Sequence, residues 1–283
     1  MLRAERLPVR NMVLCNTSDR RSIFVIPRGP IVYIGTTDTS YEPGEQVWPE
    51  ITAEDVAYLL EPPARYFNVD PIRPQEISAA WAGLRPLIAE PGKKPHEISR
   101  RDEILVGPAR VVTMAGGKLT GYRPMAHDTL ERAAEVAGLE LPERPGEEPP
   151  LPGGDFDGDL DALEVRLSET TRLSRARAAR LVRLYGTEAF DVAARGTEPL
   201  VEGGSALAAE VDWSIEMEGA ATLEDVIYRR LRTALYAPDA REAAVPAAAA
   251  RMANRLDWDR ERTAKEVEQV SARLAADLAF LER

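Results

Sequence analysis

Metal and thiol chemistry have little to work with in this sequence, which holds one cysteine, Cys15, and two histidines, His96 and His127. One cysteine closes no internal disulfide, and with two distant histidines it makes no zinc-ligand spacing, so no metal is expected and a reducing, cytoplasmic compartment is. Long apolar runs are missing too. Uninterrupted pieces such as 31–34 and 247–250 fall far short of the roughly 18 residues a spanning helix needs. The first eight residues carry charge where a secretion signal needs an apolar core, so a cleaved signal is not expected. Basic charge is in deficit: 36 Lys and Arg stand against 47 Asp and Glu, a formal net charge of -11. That balance argues against a nucleic-acid partner, which would need a clustered basic face to neutralise phosphates. The deficit is uneven. Residues 1–140 hold 17 basic against 19 acidic side chains and residues 141–283 hold 19 against 28, so a small anionic ligand is expected in the first half. No G-x-S-x-G is present and no fixed-period repeat is visible, which leaves hydrolase chemistry and a solenoid without support.

What is there is a globular composition, 283 residues of which 44% are hydrophobic and 29% charged, enough for one large core or two modest ones. The first half reads as strands broken by turns. Residues 22–27 and 30–35 are β-branched runs separated by Arg28-Gly29, the pattern of a hairpin. Thr52 to Asp55 resembles a capping box ahead of Val56, Leu59 and Leu60 at helical spacing. Residues 76–83 and 110–115 are further predicted strands. Met125, Leu130, Ala133, Ala134 and Ala137 then set out a helix that stops at Gly138.

Residues 142–159 concentrate proline, glycine and acid, a composition that disfavours helix and sheet interiors. They are expected to be an open, protease-sensitive linker, with a stable helical fragment beginning near residue 155 to 160. Beyond it Ser174 caps a run ending at Gly186, Thr222 to Asp225 opens another, and Asp257 leads into an amphipathic helix. Pro246 is expected to interrupt the alanine-rich run 240–256. Trp213 and Trp258 read as core anchors. The fold class expected is α+β: a β-rich part over 1–141, the linker 142–159, and an all-α domain over 160–283.

Several motifs could carry chemistry. Gly116-Gly117-Lys118 between a strand and a helix offers backbone N–H groups and a helix N-terminus to negative charge. It is not a P-loop, since the earlier glycine would fall at Val112. An ordinary turn with a solvated lysine remains the alternative. Arg85, just after a predicted strand at a glycine-containing bend, could clamp a phosphate or polarise a hydroxyl, or could simply form a surface ion pair. Gly35-Thr-Thr-Asp38 ends the second hairpin strand and by itself reads as a turn held by side-chain hydrogen bonds. Asp155, Asp157, Asp159 and Asp161 fail as a calcium loop because Leu160 and Arg166 stand where Gly and Glu are needed, so they read as linker and helix cap.

Taken in series, Phe24-Val-Ile-Pro-Arg28, Tyr33-Ile-Gly-Thr-Thr-Asp-Thr39, Trp81-Ala-Gly-Leu-Arg-Pro-Leu-Ile-Ala-Glu90, Glu97-Ile-Ser-Arg100 and Ala115-Gly-Gly-Lys-Leu-Thr-Gly-Tyr-Arg123 closely resemble the FAD-dependent glycerol-3-phosphate dehydrogenases. The second half resembles that family's helical C-terminal domain through Leu184-Tyr-Gly-Thr-Glu188, Ala209-Glu-Val211 and Leu223 to Arg230. The resemblance covers about the C-terminal half of the family's pattern; these residues contain no G-x-G-x-x-G turn. It implies a two-domain flavoprotein using FAD, with Gly116, Gly117, Leu119 and Thr120 near the flavin's pyrimidine edge. It further implies that Arg85 orients substrate, that Lys118 contacts it, and that Arg100 is a phosphate ligand, with Arg101 as the alternative. The implied reaction oxidises sn-glycerol 3-phosphate to dihydroxyacetone phosphate by hydride transfer to FAD, with quinone as acceptor, peripheral association with a membrane, and an FAD-binding half or a second copy as partner. Two other readings stay open, a related flavin oxidase and a non-catalytic ligand-binding or interaction module.

Overall fold

The structure is a computed structural model that describes residues 1–39, 48–85, 88, 101–144, 146 and 148–282. These residues pack as two compact units, one of 1–37, 50–81 and 149–283, the other of 38–49 and 82–148.

The first unit opens with an antiparallel sheet of β1 (Leu2–Arg3), β2 (Val13–Asn16), β3 (Ser22–Arg28) and β4 (Ile31–Gly35), in the order β1-β4-β3-β2. The expected hairpin is β3–β4, closed by Gly29 at φ 58, a conformation that suits a residue without Cβ. Alternation along β3 sends Ile23 and Val25 into a core with Leu2, Cys15 and Val32, against which Leu59 and Leu60 of α1 (Ala53–Tyr66) pack. Thr52 caps α1 as expected, its hydroxyl accepting the Asp55 N–H at 3.1 Å. The strand predicted over 76–83 does not form among the described residues. A 3-10 turn occupies Pro74–Glu76, and the Glu76 carboxylate is bound by the Arg73 N–H and by Arg6, at 2.7 and 2.5 Å.

In the same unit the chain continues through α3 (Leu160–Thr171), α4 (Arg175–Tyr185), α5 (Ala189–Ala194), α6 (Ala208–Glu216), a π-helix over Asp225–Arg230, α7 (Thr233–Tyr236), α8 (Arg241–Leu256) and α9 (Arg260–Ala276), while α2 (Tyr122–Ala137) lies in the second unit. Two cores hold them. Leu163, Leu167, Leu181, Val182 and Trp213 close one, while Val211, Leu223, Val226, Ile227, Met252 and Val270 close the other, with Trp258 and Leu235 on its margin. Asp159 caps α3 by accepting the Ala162 N–H at 2.9 Å. Sheet and helices meet directly: Arg241 donates to the Ser78 carbonyl at 2.7 Å and the Arg28 guanidinium lies 4.5 Å from the Tyr236 ring centroid.

One expectation about this half is overturned. Pro246 does not interrupt α8, which runs unbroken through it. A proline removes one backbone hydrogen bond, and buried Val245, Ala248, Ala249 and Met252 hold the helix in place around it. The segment 142–159 is not open throughout. Near its end the Gly153 carbonyl accepts the Thr187 N–H at 2.9 Å and Phe156 packs on the first helical core.

The second unit is a hairpin of β5 (Asp102–Val106) and β6 (Val112–Gly116) against α2 (Tyr122–Ala137). Gly138 ends α2 at φ 70, the left-handed cap the sequence marks. The whole is an α+β fold, as expected.

Candidate functional site

The second unit holds the described candidates. β6 ends at Gly116, which pairs across the hairpin with Asp102; Gly116 and Gly117 both take positive φ, 77 and 80. Their lack of a side chain is required from within the protein. A Cβ on Gly116 would strike the Arg101 carbonyl oxygen and lie 3.3 Å from Ile88 Cδ1, while one on Gly117 would lie 2.6 Å from both Sδ and Cε of Met125. The turn is therefore sharp because strand end, neighbouring strand and helix press on it together. Gly116→Ala is expected to destabilise the second unit by roughly 3 kcal/mol, combining left-handed strain with a backbone displacement that no rotamer relieves. Thermal unfolding would read this, and an unchanged midpoint would refute the packing.

After the glycines, Lys118 precedes a 3-10 turn over Leu119–Gly121 that runs into α2. Lys118 and Thr120 are exposed, and Leu119 is 87% exposed. No side chain caps the turn, and the N–H groups of Leu119 and Thr120 have no acceptor among the described residues. Unsatisfied N–H groups ahead of a 16-residue helix form a local positive pole. Lys118 adds its charge there and makes no ion pair among the described residues.

Arg85 is brought to Asp38, its Nη1 donating to Oδ2 at 2.7 Å, with side chains 42% and 21% exposed. The pair joins the Trp81-to-Glu90 motif to the Gly-Thr-Thr-Asp motif across 47 residues. Sequence reasoning left Asp38 as a turn residue; the signal that could have found it was the opposite charges of Asp38 and Arg85 in two motifs of one series. Arg100, like His96, lies outside the described residues. The alternative phosphate ligand, Arg101, stands beside the start of β5. His127 on α2 meets Glu148, Nε2 to Oε1 at 2.7 Å; this contact and Arg123 hold the Glu148 carboxyl below the usual carboxylate range. Among the described residues no group of three or more His, Cys, Asp or Glu could hold a metal, and no helix is long and apolar enough to cross a membrane.

The glycine turn, the open N–H groups and Lys118 make a locally positive strand-to-helix turn, a geometry that suits an anionic group. The comparisons with known proteins identify the family. A family described as FAD dependent oxidoreductase matches residues 2–141, and one described as the C-terminal domain of alpha-glycerophosphate oxidase matches residues 146–263. The chain belongs to the FAD-dependent glycerol-3-phosphate dehydrogenase family. It is 32% identical to the aerobic glycerol-3-phosphate dehydrogenase of Bacillus subtilis over 98% of this chain and 52% of that protein. It is 38% identical to the protein of that description from Staphylococcus haemolyticus over 64% of this chain and 34% of the relative. Its fold matches the glycerol-3-phosphate dehydrogenase from Bacillus halodurans, solved in complex with FAD, with TM-score 0.82 at 28% identity, covering 99% of this chain and 56% of that one. The chain thus spans about half the length of the relatives that it matches end to end.

Proposed function

We propose that this chain supplies the substrate-facing part and the helical C-terminal part of an FAD-dependent glycerol-3-phosphate dehydrogenase, with residues 1–141 and 160–283 in those roles and 142–159 joining them. The observation that carries the reading is the loop 116–120: its open N–H groups and Lys118 suit the electron-rich edge of a bound FAD and an anionic substrate next to it. Gly116, Gly117, Leu119 and Thr120 would hold the cofactor through backbone, since their side chains are absent or turned to solvent. FAD, when bound, supplies the two-electron acceptor that turns the C2 alcohol of sn-glycerol 3-phosphate into the ketone of dihydroxyacetone phosphate. Arg85 orients the C2 hydroxyl or the phosphate, Lys118 contacts the substrate from the loop, and Arg100 or Arg101 takes the phosphate. Quinone as the final acceptor, peripheral membrane association and pairing with an FAD-binding half or a second copy belong to this reading. The match of residues 146–263 to an oxidase's C-terminal domain favours a second one, in which oxygen takes the electrons.

The test is turnover of glycerol 3-phosphate by the FAD-loaded protein, with a soluble quinone analogue or oxygen as acceptor. Arg85→Ala and Lys118→Ala should each lower kcat/KM by about ten- to a hundredfold, the loss of one charge-assisted contact of roughly 1.5–3 kcal/mol. Unaltered kinetics in both variants would remove these residues from the site, and preference for oxygen over the quinone analogue would select the second reading.

A further inference from the structure

Arg85 carries five N–H donors, and the structure commits Nη1 to Asp38; no other acceptor for its guanidinium occurs among the described residues. Asp38 is the more enclosed partner, 21% exposed against 42% for Arg85, so the ion pair leaves part of the guanidinium open to solvent. A free arginine would lose its rotamer freedom each time it closed on a ligand. One already held at a single nitrogen has lost most of it before the ligand arrives, while Nε and Nη2 stay available for bidentate contact with a phosphate or hydroxyl.

We propose that Asp38 is the positioning residue for Arg85, fixing the guanidinium so that its unused donors bind the anionic substrate. The inference rests on the reading that places Arg85 in the ligand site. The opposite role has equal chemistry behind it: a carboxylate on a guanidinium could act as a latch that the substrate must displace. Geometry favours positioning, because one nitrogen of three is occupied and a fork shared between two anions needs no bond to break. The two roles differ in sign, since removing a positioning group weakens binding and removing a latch strengthens it.

Titration of sn-glycerol 3-phosphate into the whole 283-residue chain, followed by calorimetry or by phosphorus resonance shifts, reads the sign without requiring turnover. Asp38→Ala should weaken binding by about tenfold, the scale of ordering one long side chain. Asp38→Glu should recover affinity to within about threefold, because the carboxylate is kept. Arg85→Ala should weaken binding at least as much, and the Asp38→Ala/Arg85→Ala double variant should bind no more weakly than Arg85→Ala alone, since Asp38 acts through Arg85. A merely structural carboxylate would instead lower the unfolding midpoint and weaken binding in the double variant further. Tighter binding by Asp38→Ala would overturn positioning in favour of the latch. Binding lost in Arg85→Ala but unchanged in Asp38→Ala would overturn the role of Asp38 and leave the site standing. No saturable binding by the unaltered chain, or binding indifferent to Arg85, would overturn the placement of Arg85 in the ligand site and the proposal with it.

Discussion

Glu210→Ala should lower the thermal unfolding midpoint by about 10 °C, an effect of roughly 3–5 kcal/mol spread over a unit of this size. The Glu210 side chain is fully buried, yet every direction around its carboxylate is filled by a donor. Arg180 Nη1 approaches both oxygens, at 2.8 and 2.7 Å, the Tyr185 hydroxyl donates at 3.0 Å, and the Leu207 N–H donates at 2.6 Å. These partners bind α4 to α6 and to the loop before it. Burial first, and then the Glu210 charge, push the Tyr185 hydroxyl far above its ordinary range, so it stays a donor at any workable pH. Alanine would leave a half-buried guanidinium, a phenol and a backbone N–H without their acceptor, and stranded partners cost more than the bonds themselves returned. Arg180→Met combined with Glu210→Ala should therefore lose less than Glu210→Ala alone, because the unpaired cation goes with its partner. A double variant worse than the single one would show that the charge pair itself, and not the stranded arginine, sets the cost.

The contrast between what was legible and what was not follows the range of the interactions. The β3–β4 hairpin showed in the sequence because two β-branched runs flank a glycine turn, all within fourteen residues. The starts of α1 and α4 showed because Thr52 and Ser174 act on their own helices, three residues away. The π-helix at 225–230 left no mark, since its capping pair Thr222 and Asp225 would open an α-helix equally well. Pro246 misled because helix propensity speaks for an isolated helix, whereas α8 is held by four buried neighbours of that proline. In the candidate site, the motifs placed Arg85 and the 116–120 loop, but the pairing of Arg85 with Asp38 joins residues 47 apart and depends on the fold. The glycines were legible as a turn, but the contacts that require them, from Arg101, Ile88 and Met125, come from other elements and were not.

The same distinction bears on the linker, where Gly153→Ala or Gly186→Ala should turn a docked segment into an open one. Composition alone makes 142–159 an extended, cleavable stretch, with nothing apolar enough to offset its ordering. Gly153 and Gly186 supply what composition does not show, a direct approach of two backbones. A Cβ on Gly153 would lie 2.9 Å from the Tyr185 carbonyl carbon, and one on Gly186 would lie 2.6 Å from the Gly153 carbonyl carbon. Both residues take positive φ, 74 and 58, which costs an alanine about 1–2 kcal/mol before any contact is counted. Because the obstacles are main chain, relief requires the segment to lift, breaking the bond from the Thr187 N–H to the Gly153 carbonyl and freeing Phe156 from the first helical core. The combined loss is expected to exceed roughly 3 kcal/mol. In limited proteolysis the unaltered chain should resist cutting over 151–156, so that helical fragments begin before residue 151 and not near 155 to 160, whereas either variant should be cut within the segment. Gly138→Ala is the matched control, with φ 70 and nothing within 4 Å of a Cβ, and should show the left-handed strain without new cleavage. Equal protease resistance in Gly153→Ala and the unaltered chain would mean that the two backbones do not hold one another, and the segment would have to be treated as the free linker its composition suggests.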